Sequence, residues 1–296
     1  MELNRIAIIG GGIGGLASAI LLARQGFDIH VYEQAECAGP VGAGFLLQPP
    51  GQAVLEKLGV LEEVCQRAVP IQGLESITKS YGSTHYDKTL LDLKYADLKG
   101  APRHGLGVQR RCIYEALLNQ AQSFSNVVIH WDSHVDGCEA NESEQVRVQV
   151  NGQSEMYDLC ILSSGSNSEL ADQHFEGRIC NNYEWGCLWA TITLPDALTE
   201  HTLHQRCQSS TKMMGILPVR RTETGIEAAL YWSAKSKEIR ALDADSFSAM
   251  KTEMLNFWPE AAASIEPLKQ ADFIGANYRD VWSPKPFALN LSLIHI

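Results

Sequence analysis

Read as a pattern of apolar and polar positions, the chain opens on Ile6-Ala7-Ile8-Ile9, a β-branched run that fits a strand buried on both faces. Gly10, Gly11, Gly12, Gly14 and Gly15 follow, and positions 13–25 then carry apolar residues at helical spacing, closed by Gly26 at a C′ position. A second apolar run, Asp28 to Tyr32, ends in Glu33. Strand, glycine turn, helix, strand and acidic end make a complete βαβ unit.

The pattern predicts short helices over 52–58, stopped by Gly59, and over 61–67, then two or three strands within 71–98. Gly105 to Gln109 leads into a helix beginning at Arg110, with Ile113, Ala116, Leu117 and Gln120 on one stripe. Segments 126–130, 135–139, 145–150 and 155–162 read as strands of an antiparallel or mixed meander, the last ending in Ser163-Ser164-Gly165-Ser166-Asn167-Ser168. Three more strand-like runs, 185–194, 212–219 and 225–233, carry Trp189, Met213, Met214, Tyr231 and Trp232. Alternation puts Cys187, Trp189 and Thr191 on one face and Leu188, Ala190 and Ile192 on the other. Aromatics on such a sheet are either core or a flat apolar wall for an organic substrate. Positions 246–258 form an amphipathic helix striped by Phe247, Met250, Met254 and Phe257.

Gly10, Gly12 and Gly15 fill the three positions of the G-x-G-x-x-G dinucleotide fingerprint. Gly10 permits the tight turn, Gly12 lets a pyrophosphate approach the backbone at a helix N-terminus, and Gly15 lets the helix lie close on the strand. Glu33, 23 residues after Gly10, stands near the spacing at which a carboxylate accepts hydrogen bonds from an adenosine ribose, and it disfavours a 2′-phosphate. The unit therefore points to FAD or NAD. Arg110 and Arg111 lie at a helix start, where the dipole disfavours a cation, so an arginine there either invites an anionic partner or is solvated. The small-residue turn around Gly165 either lets backbone approach a ligand or is an ordinary loop.

With 296 residues, 45% of them hydrophobic, the chain is long enough for two domains. A formal charge of −11 argues against nucleic acid or an anionic membrane as partner. No basic-then-apolar leader opens the chain and no apolar run reaches membrane-spanning length, so the expected location is cytoplasmic. Eight cysteines stand singly without a C-x-x-C, which fits reduced thiols in apolar surroundings. His201-x-x-His204 and His130-x3-His134 lack further ligands at usable spacing, and no metal is expected. No G-x-S-x-G elbow is present.

Three segments together resemble the class A flavin monooxygenases, the group typified by para-hydroxybenzoate hydroxylase: the glycine turn with Glu33, the Gly42-Ala43-Gly44 strand, and Gln109-Arg110-Arg111-Cys112-Ile113. The likeness runs from about Arg5 to Asp280, where Tyr278-Arg279-Asp280-Val281 is similar to the approach to the family's last flavin motif. The resemblance implies an α/β fold, a Rossmann-like FAD-binding domain with a second, mostly antiparallel β-sheet substrate domain. It assigns 1–70 and 101–180 to the FAD domain, with 272–290 returning to it, and 71–100 and 181–271 to the substrate domain. Implied cofactor contacts are Gly10, Gly12, Ile13, Gly14, Gly15, Glu33, Gly44, Arg110 and Gly165, and the implied substrate wall is Trp189 and Tyr231.

In the family, NAD(P)H reduces FAD, and the reduced flavin with O2 forms a C4a-hydroperoxide that oxygenates a small electron-rich organic molecule. The resemblance implies no protein acid or base as catalytic. Two departures stand out. Ser164-Gly165 replaces an Asp-Gly pair and Ala171 replaces an arginine, although Ser168 is kept, which bears on binding of the electron donor. The family's Gly-Asp motif and following helix have no counterpart in these residues. Leu291 to Ile296 matches one reading frame of a transposon end used in sequencing libraries, so this tail is expected to be non-native and the natural chain to continue after about Asn290. A non-oxygenating flavoprotein reductase or dehydrogenase, or a nucleotide-binding fragment without turnover, are the rival readings.

Overall fold

In a computed structural model of the protein, which describes residues 4–39, 44–79, 85–99, 104–140, 145–284, 287–288 and 291–293, the opening apolar run is the hub of a parallel sheet. The chain passes through β1 (Arg5–Ile9), α1 (Ile13–Ala23), β2 (Asp28–Tyr32), β3 (Gly44–Leu47), α2 (Pro49–Leu58), α3 (Leu61–Arg67), β4 (Val69–Ile71), β5 (Gly73–Lys79) and β6 (Tyr86–Lys94). It continues with β7 (Gly105–Gln109), α4 (Arg110–Gln122), β8 (Val127–His130), β9 (Val135–Ala140), β10 (Val146–Val150), β11 (Gln153–Tyr157), β12 (Leu159–Leu162) and α5 (Glu169–His174). The last part holds β13 (Ile179–Thr193), β14 (Thr202–Gln208), β15 (Lys212–Thr222), β16 (Gly225–Lys235), α6 (Ser236–Arg240), α7 (Ala244–Phe257), α8 (Ala262–Ile265), β17 (Ile274–Trp282), β18 (Phe287–Ala288) and β19 (Leu291–Leu293).

Among the described residues these strands form four sheets, of which the first has the order β18-β19-β12-β1-β2-β8 with β12, β1, β2 and β8 mutually parallel. Ile6 and Ile8 face Ala19 and Ala23 of α1, whereas Ala7 and Ile9 face the three-stranded β11-β10-β9 sheet and α5. Coverage on both faces explains why this strand is apolar throughout rather than alternating.

A seven-stranded, mostly antiparallel sheet, β17-β13-β16-β15-β14-β5-β6, makes the second layer system. Its Leu188, Ala190, Ile192, Leu230 and Trp232 pack on Phe247, Met254 and Phe257 of α7, the stripe that the sequence shows at helical spacing. Asp243 caps this helix, accepting from the Ser246 amide at 2.9 Å. On the opposite face, Leu217, Val219 and Ala229 meet Val69, Ile71 and Tyr95, which joins the large sheet to the small β3-β7-β4 sheet.

Several sequence expectations need correcting. The four-strand meander does not form: β8 joins the parallel sheet beside β2, and only β9, β10 and β11 are antiparallel neighbours. The expected strand over 155–162 is two strands broken at Asp158, whose carboxylate accepts the amides of Asn4 and Arg5 at 3.0 and 2.9 Å. That carboxylate pins the start of β1, and the chain must turn between β11 and β12 to present it. β13 begins at Ile179 rather than 185, and β14 shows no apolar alternation because His204 and Arg206, both buried polar residues, occupy its inward positions.

Of the segment 272–290, Ile274–Trp282 pairs with β13 in the large sheet, whereas Phe287–Ala288 lies at the edge of the parallel sheet. Leu291–Leu293 pairs in parallel with β12. Gly42 and Ala43 lie outside the described residues.

Candidate functional site

The carboxyl ends of β1, β2 and β12 converge, and β1 is the strand at which the connections diverge to either side, the place where open parallel sheets bind ligands. Gly10 leaves β1 at φ +103°, a left-handed conformation, with its amide donating to the Tyr32 carbonyl at 2.8 Å. A Cβ on Gly10 would fall 2.5 Å from the Ser163 carbonyl oxygen, so the turn after β12 lies directly against the glycine turn. A Cβ on Gly15 would fall 1.9 Å from the Gly10 carbonyl oxygen, which is why α1 can sit this close to its own strand.

Gly12 differs from both. It is the N-cap of α1, and a Cβ there would meet nothing within 4 Å. The protein itself does not demand glycine at this position, so the requirement, if any, comes from a ligand against the backbone. Gly165 is similarly open, at φ +82° with nothing within 4 Å. Ile13 and Gly14 form the first turn of α1, where Ile13 packs on the α1/α4 core and the Gly14 carbonyl accepts from the Ser18 hydroxyl at 2.9 Å.

Glu33, at the end of β2, accepts from the Gly11 amide at 2.8 Å and from the Ala35 amide at 3.0 Å. A carboxylate offers about four acceptor positions, so the two amides fix its direction and leave capacity for ribose hydroxyls. Tyr114 on α4 is close enough that burial, then Glu33 and Cys37, raise its hydroxyl above the ordinary tyrosine value.

The two arginines at the start of α4 separate cleanly. Arg111 pairs with Glu115 at 2.5 Å, and Glu115 also accepts from Arg67 of α3 at 2.7 Å. Arg110, exposed at the first helical position, has no side-chain hydrogen bond or ion pair among the described residues. The hydrogen bonds from Arg111, then Arg67, hold the Glu115 carboxyl below its ordinary value.

A depressed folded-state pKa contributes stability that is present above the unfolded value, about 4.3, and lost as pH falls through the folded value. Glu115→Gln should therefore cost about 0.5–1 kcal/mol at pH 7, given the exposure of both arginines. Denaturant midpoints of the two proteins should differ at pH 7 and converge when the carboxyl is protonated; an equal gap at both pH values would refute the assignment.

Gly44 has a packing role: a Cβ there would fall 2.5 Å from Val219 Cγ1 and 3.1 Å from Ala229 Cβ. Its strand β3 pairs with β7 so that Gly44 stands opposite Gln109, one residue before Arg110. The small sheet thus delivers the start of α4 next to the seam between the two large sheets.

In the turn after β12, Ser168 caps α5 by accepting from the Ala171 amide at 3.1 Å, and the Ser164 and Ser168 hydroxyls are 2.5 Å apart. Ser163 Oγ is buried without a hydrogen-bond partner. Two arginines reach this turn, Arg178, which sequence reading did not select, and Arg279, which it named only within the Tyr278–Val281 segment: Arg178 donates to the Ser166 carbonyl at 2.8 Å, and Arg279 bonds to Asn167. Neither follows from local spacing, because both come from segments that meet the turn only in the fold.

Trp189 and Tyr231 are directly paired across β13 and β16. Both are half-buried and lie on the face opposite α7, the face shared with Ala229, which packs toward the small sheet. Neither belongs to the α7 core. Trp232, by contrast, belongs to the α7 core.

Tyr278 of β17 reaches the same face: its hydroxyl donates to Cys187 Sγ at 3.1 Å and is hydrogen-bonded to Tyr231. Burial pushes all three of Tyr231, Tyr278 and Cys187 above their ordinary values, so they are neutral donors at physiological pH. Cys187 could have been found from its alternation with Trp189; Tyr278 could not, since only sheet pairing brings it here.

The profile of the FAD binding domain family matches residues 4–221. A FAD-dependent monooxygenase from Arthrinium sp is 31% identical over 56% of this chain and 37% of its own length. A 3-hydroxybenzoate 6-hydroxylase from Klebsiella oxytoca is 49% identical over 23% of this chain and 17% of its own length. A putative FAD-dependent monooxygenase from Bacillus subtilis is 23% identical over 73% of this chain and 57% of its own length. The chain therefore spans less than two thirds of these relatives.

Among solved structures, 2-methyl-3-hydroxypyridine-5-carboxylic acid oxygenase superposes with a TM-score of 0.80 at 19% identity, covering 99% of this chain and 75% of that one. A probable FAD-dependent monooxygenase from Pseudomonas aeruginosa gives 0.80 at 22% identity, covering 99% and 78%. These two likenesses establish a shared fold.

Proposed function

The chain belongs to the FAD binding domain family, and from that premise we propose that it holds FAD over the ends of β1, β2 and β12 and acts as a FAD-dependent monooxygenase. NAD(P)H would be the electron donor, O2 the co-substrate, and a small aromatic molecule the substrate. The observation that carries the cofactor assignment is the contrast within one motif: Gly10 and Gly15 are required by protein backbone, whereas Gly12 faces open space at a helix N-terminus.

The residues present fit FAD. Amides at the start of α1 suit the pyrophosphate, Glu33 suits the adenosine ribose, and the unpaired Arg110 supplies a cation for the anionic cofactor. Ile13, Gly14 and Gly165 line the approach. Gly44 assists indirectly by seating β3 on the large sheet beside Gln109.

When bound, FAD supplies the redox and oxygen chemistry. What the chain contributes is placement and water exclusion. Trp189 presents an apolar face to an aromatic ring, and the neutral hydroxyls of Tyr231 and Tyr278 can orient a polar substituent. Related proteins are named for 3-hydroxybenzoate and 6-hydroxynicotinate, which share an aromatic ring, an acid group and a ring hydroxyl. We assign the same substrate class here.

The parallel-sheet unit, 1–70 and 101–180, forms the cofactor domain in this reading, and 71–100 with 181–271 forms the substrate domain. No helix among the described residues is long and apolar enough to cross a membrane, and eight free cysteines suit a reducing compartment such as the cytoplasm.

The test is direct. Purified protein reconstituted with FAD should stay yellow through gel filtration and consume O2 in step with hydroxylated product when given NAD(P)H and substrate. Flavin reduction without any oxygenated product would favour a reductase instead. Trp189→Ala should weaken binding of 3-hydroxybenzoate by about ten-fold, since aromatic contacts contribute up to about 1.5 kcal/mol beyond area. Tyr231→Phe should weaken it less. Unchanged affinity in both variants, by titration calorimetry, would move the substrate elsewhere.

A further inference from the structure

Tyr32 immediately precedes Glu33, and by alternation it shares with His30 the face of β2 turned toward the three-stranded sheet. β8 runs beside β2 with His130 opposite Tyr32, and the two strands stack three rings there. The His130 ring lies 4.7 Å from that of Tyr32 and 5.2 Å from that of His30, nearly parallel to both. Nδ1 of His30 is 3.0 Å from Nε2 of His130, a direct hydrogen bond between imidazoles. The same stretch of β8 also holds the backbone of Glu33. The Glu33 amide donates to the His130 carbonyl at 2.9 Å, and the Ser133 amide donates to the Glu33 carbonyl at 2.9 Å. Among the described residues no group of three or more His, Cys, Asp or Glu is placed to hold a metal ion.

We propose that His30 and His130 are positioning residues for Glu33, and that a second proton on the pair breaks their contact and loosens the grip of Glu33 on the cofactor's ribose. This rests on the reading of Glu33 as the ribose ligand of FAD. A count of donors and acceptors carries it. Arg5 Nη2, which can only donate, stands 3.3 Å from His30 Nε2, and the carboxylate oxygen Asp28 Oδ2, which accepts, stands 3.4 Å from the same nitrogen. With His30 neutral, Nε2 accepts from Arg5 while Nδ1–H donates to His130. With one proton added to His30, Nε2–H turns to Asp28 and Nδ1–H still donates to His130. A second proton, on Nε2 of His130, sets two N–H groups against each other and makes both rings cations beside Arg5. The pair therefore accommodates zero or one proton and rejects two.

The surrounding groups are themselves engaged with one another. Arg5 of β1 reaches Glu155 of β11 at 2.9 Å and Asp28 at 3.6 Å, and its guanidinium lies 4.5 Å from the centre of the Tyr157 ring. Tyr157 meets His30 edge-on at 5.5 Å and donates to Glu155 at 2.9 Å, and its hydroxyl is 2.5 Å from that of Tyr32. Burial, then His30, hold the His130 imidazole below its ordinary value, with Glu155 opposing and Arg5 reinforcing. A depressed folded-state value contributes stability that is present above the unfolded value, about 6.5, and lost as pH falls through the folded value. The contact is thus closed at neutral pH and opens on acidification.

The test uses the full chain and two variants, His130→Gln and His30→Asn, both checked for native folding by circular dichroism. Each introduces an amide that donates or accepts without titrating. The first readout needs no cofactor: hydrogen exchange of the Glu33 and Ser133 amides, corrected for the intrinsic effect of pH, at about pH 7.5 and about pH 5.5, either side of the ordinary histidine value. Acidification should lower protection by about ten-fold in the unsubstituted protein and by less than about two-fold in either variant. The second readout is FAD affinity by fluorescence titration, which should weaken by about ten-fold over the same range and stay nearly level in the variants, as linkage requires. Equal protection at the two pH values in the unsubstituted protein would overturn the proposal. So would an equal loss in both variants, because the response would then belong to another group such as His174, whose imidazole burial also lowers. Protection that follows pH while FAD affinity does not would overturn the positioning role. Failure to bind FAD at any pH would overturn the ribose reading of Glu33, and amide exchange would still decide whether the imidazole contact opens.

Discussion

Gly12→Ala is expected to weaken FAD binding by about ten- to a hundred-fold while costing the protein without cofactor no more than about 1 kcal/mol of stability. Its Cβ would meet no protein atom within 4 Å, so the only thing it can obstruct is a ligand against the start of α1. Overpacking of that kind costs about 1–3 kcal/mol, and ten-fold in affinity corresponds to about 1.4 kcal/mol. Gly12 is also the N-cap, where alanine is poorer than glycine, so a loss of up to about 1 kcal/mol of stability is allowed.

Gly15→Ala, three residues away, is expected to do the reverse. Its Cβ would stand 1.9 Å from the Gly10 carbonyl oxygen, a clash with backbone that no side-chain rotation relieves. Alanine's better helix propensity returns at most about 1 kcal/mol, so the net cost should be about 2 kcal/mol or more. Denaturant unfolding of both variants, with FAD titrated separately into each, separates the two roles. If Gly12→Ala unfolds the protein and Gly15→Ala does not, the assignment of the motif is wrong.

Arg110→Ala should reduce FAD affinity by about ten-fold or more, the worth of one charge-assisted hydrogen bond of about 1.5–3 kcal/mol. Unfolding of the protein without cofactor should be unchanged or slightly favourable to the variant, because an unpaired cation at a helix N-terminus opposes the dipole. Arg111→Ala is the control. Its guanidinium is already committed to Glu115, so its loss should lower stability and leave FAD affinity nearly unaltered. Fluorescence titration with FAD reads the first effect. Equal losses of affinity in the two variants would mean that the helix start acts as a diffuse charge and that Arg110 makes no specific contact.

Legibility differs from one part of the chain to another for a physical reason. The βαβ unit could be read because its causes are local. A β-branched run, a glycine turn and a 3.6-residue period all act within about 30 residues, and β1, α1 and β2 appear where the pattern puts them. The α7 stripe was legible on the same terms. Pairing partners were not. Val127–His130 looks the same to local pattern whether its neighbour is parallel or antiparallel, and the break at Asp158 depends on amides more than 150 residues away.

The candidate site divides likewise. The amino-acid sequence by itself determined which residues could turn tightly, which face of β13 carries Trp189, and that Arg110 and Arg111 both begin a helix. Tertiary structure alone decided that Arg67 of α3 also reaches Glu115, that Gly44 serves packing against Val219, and that Tyr278 joins Cys187 and Tyr231. Propensity and periodicity are properties of neighbours in the chain, whereas the commitment of a charge or a hydroxyl to one partner depends on which distant atoms reach it first.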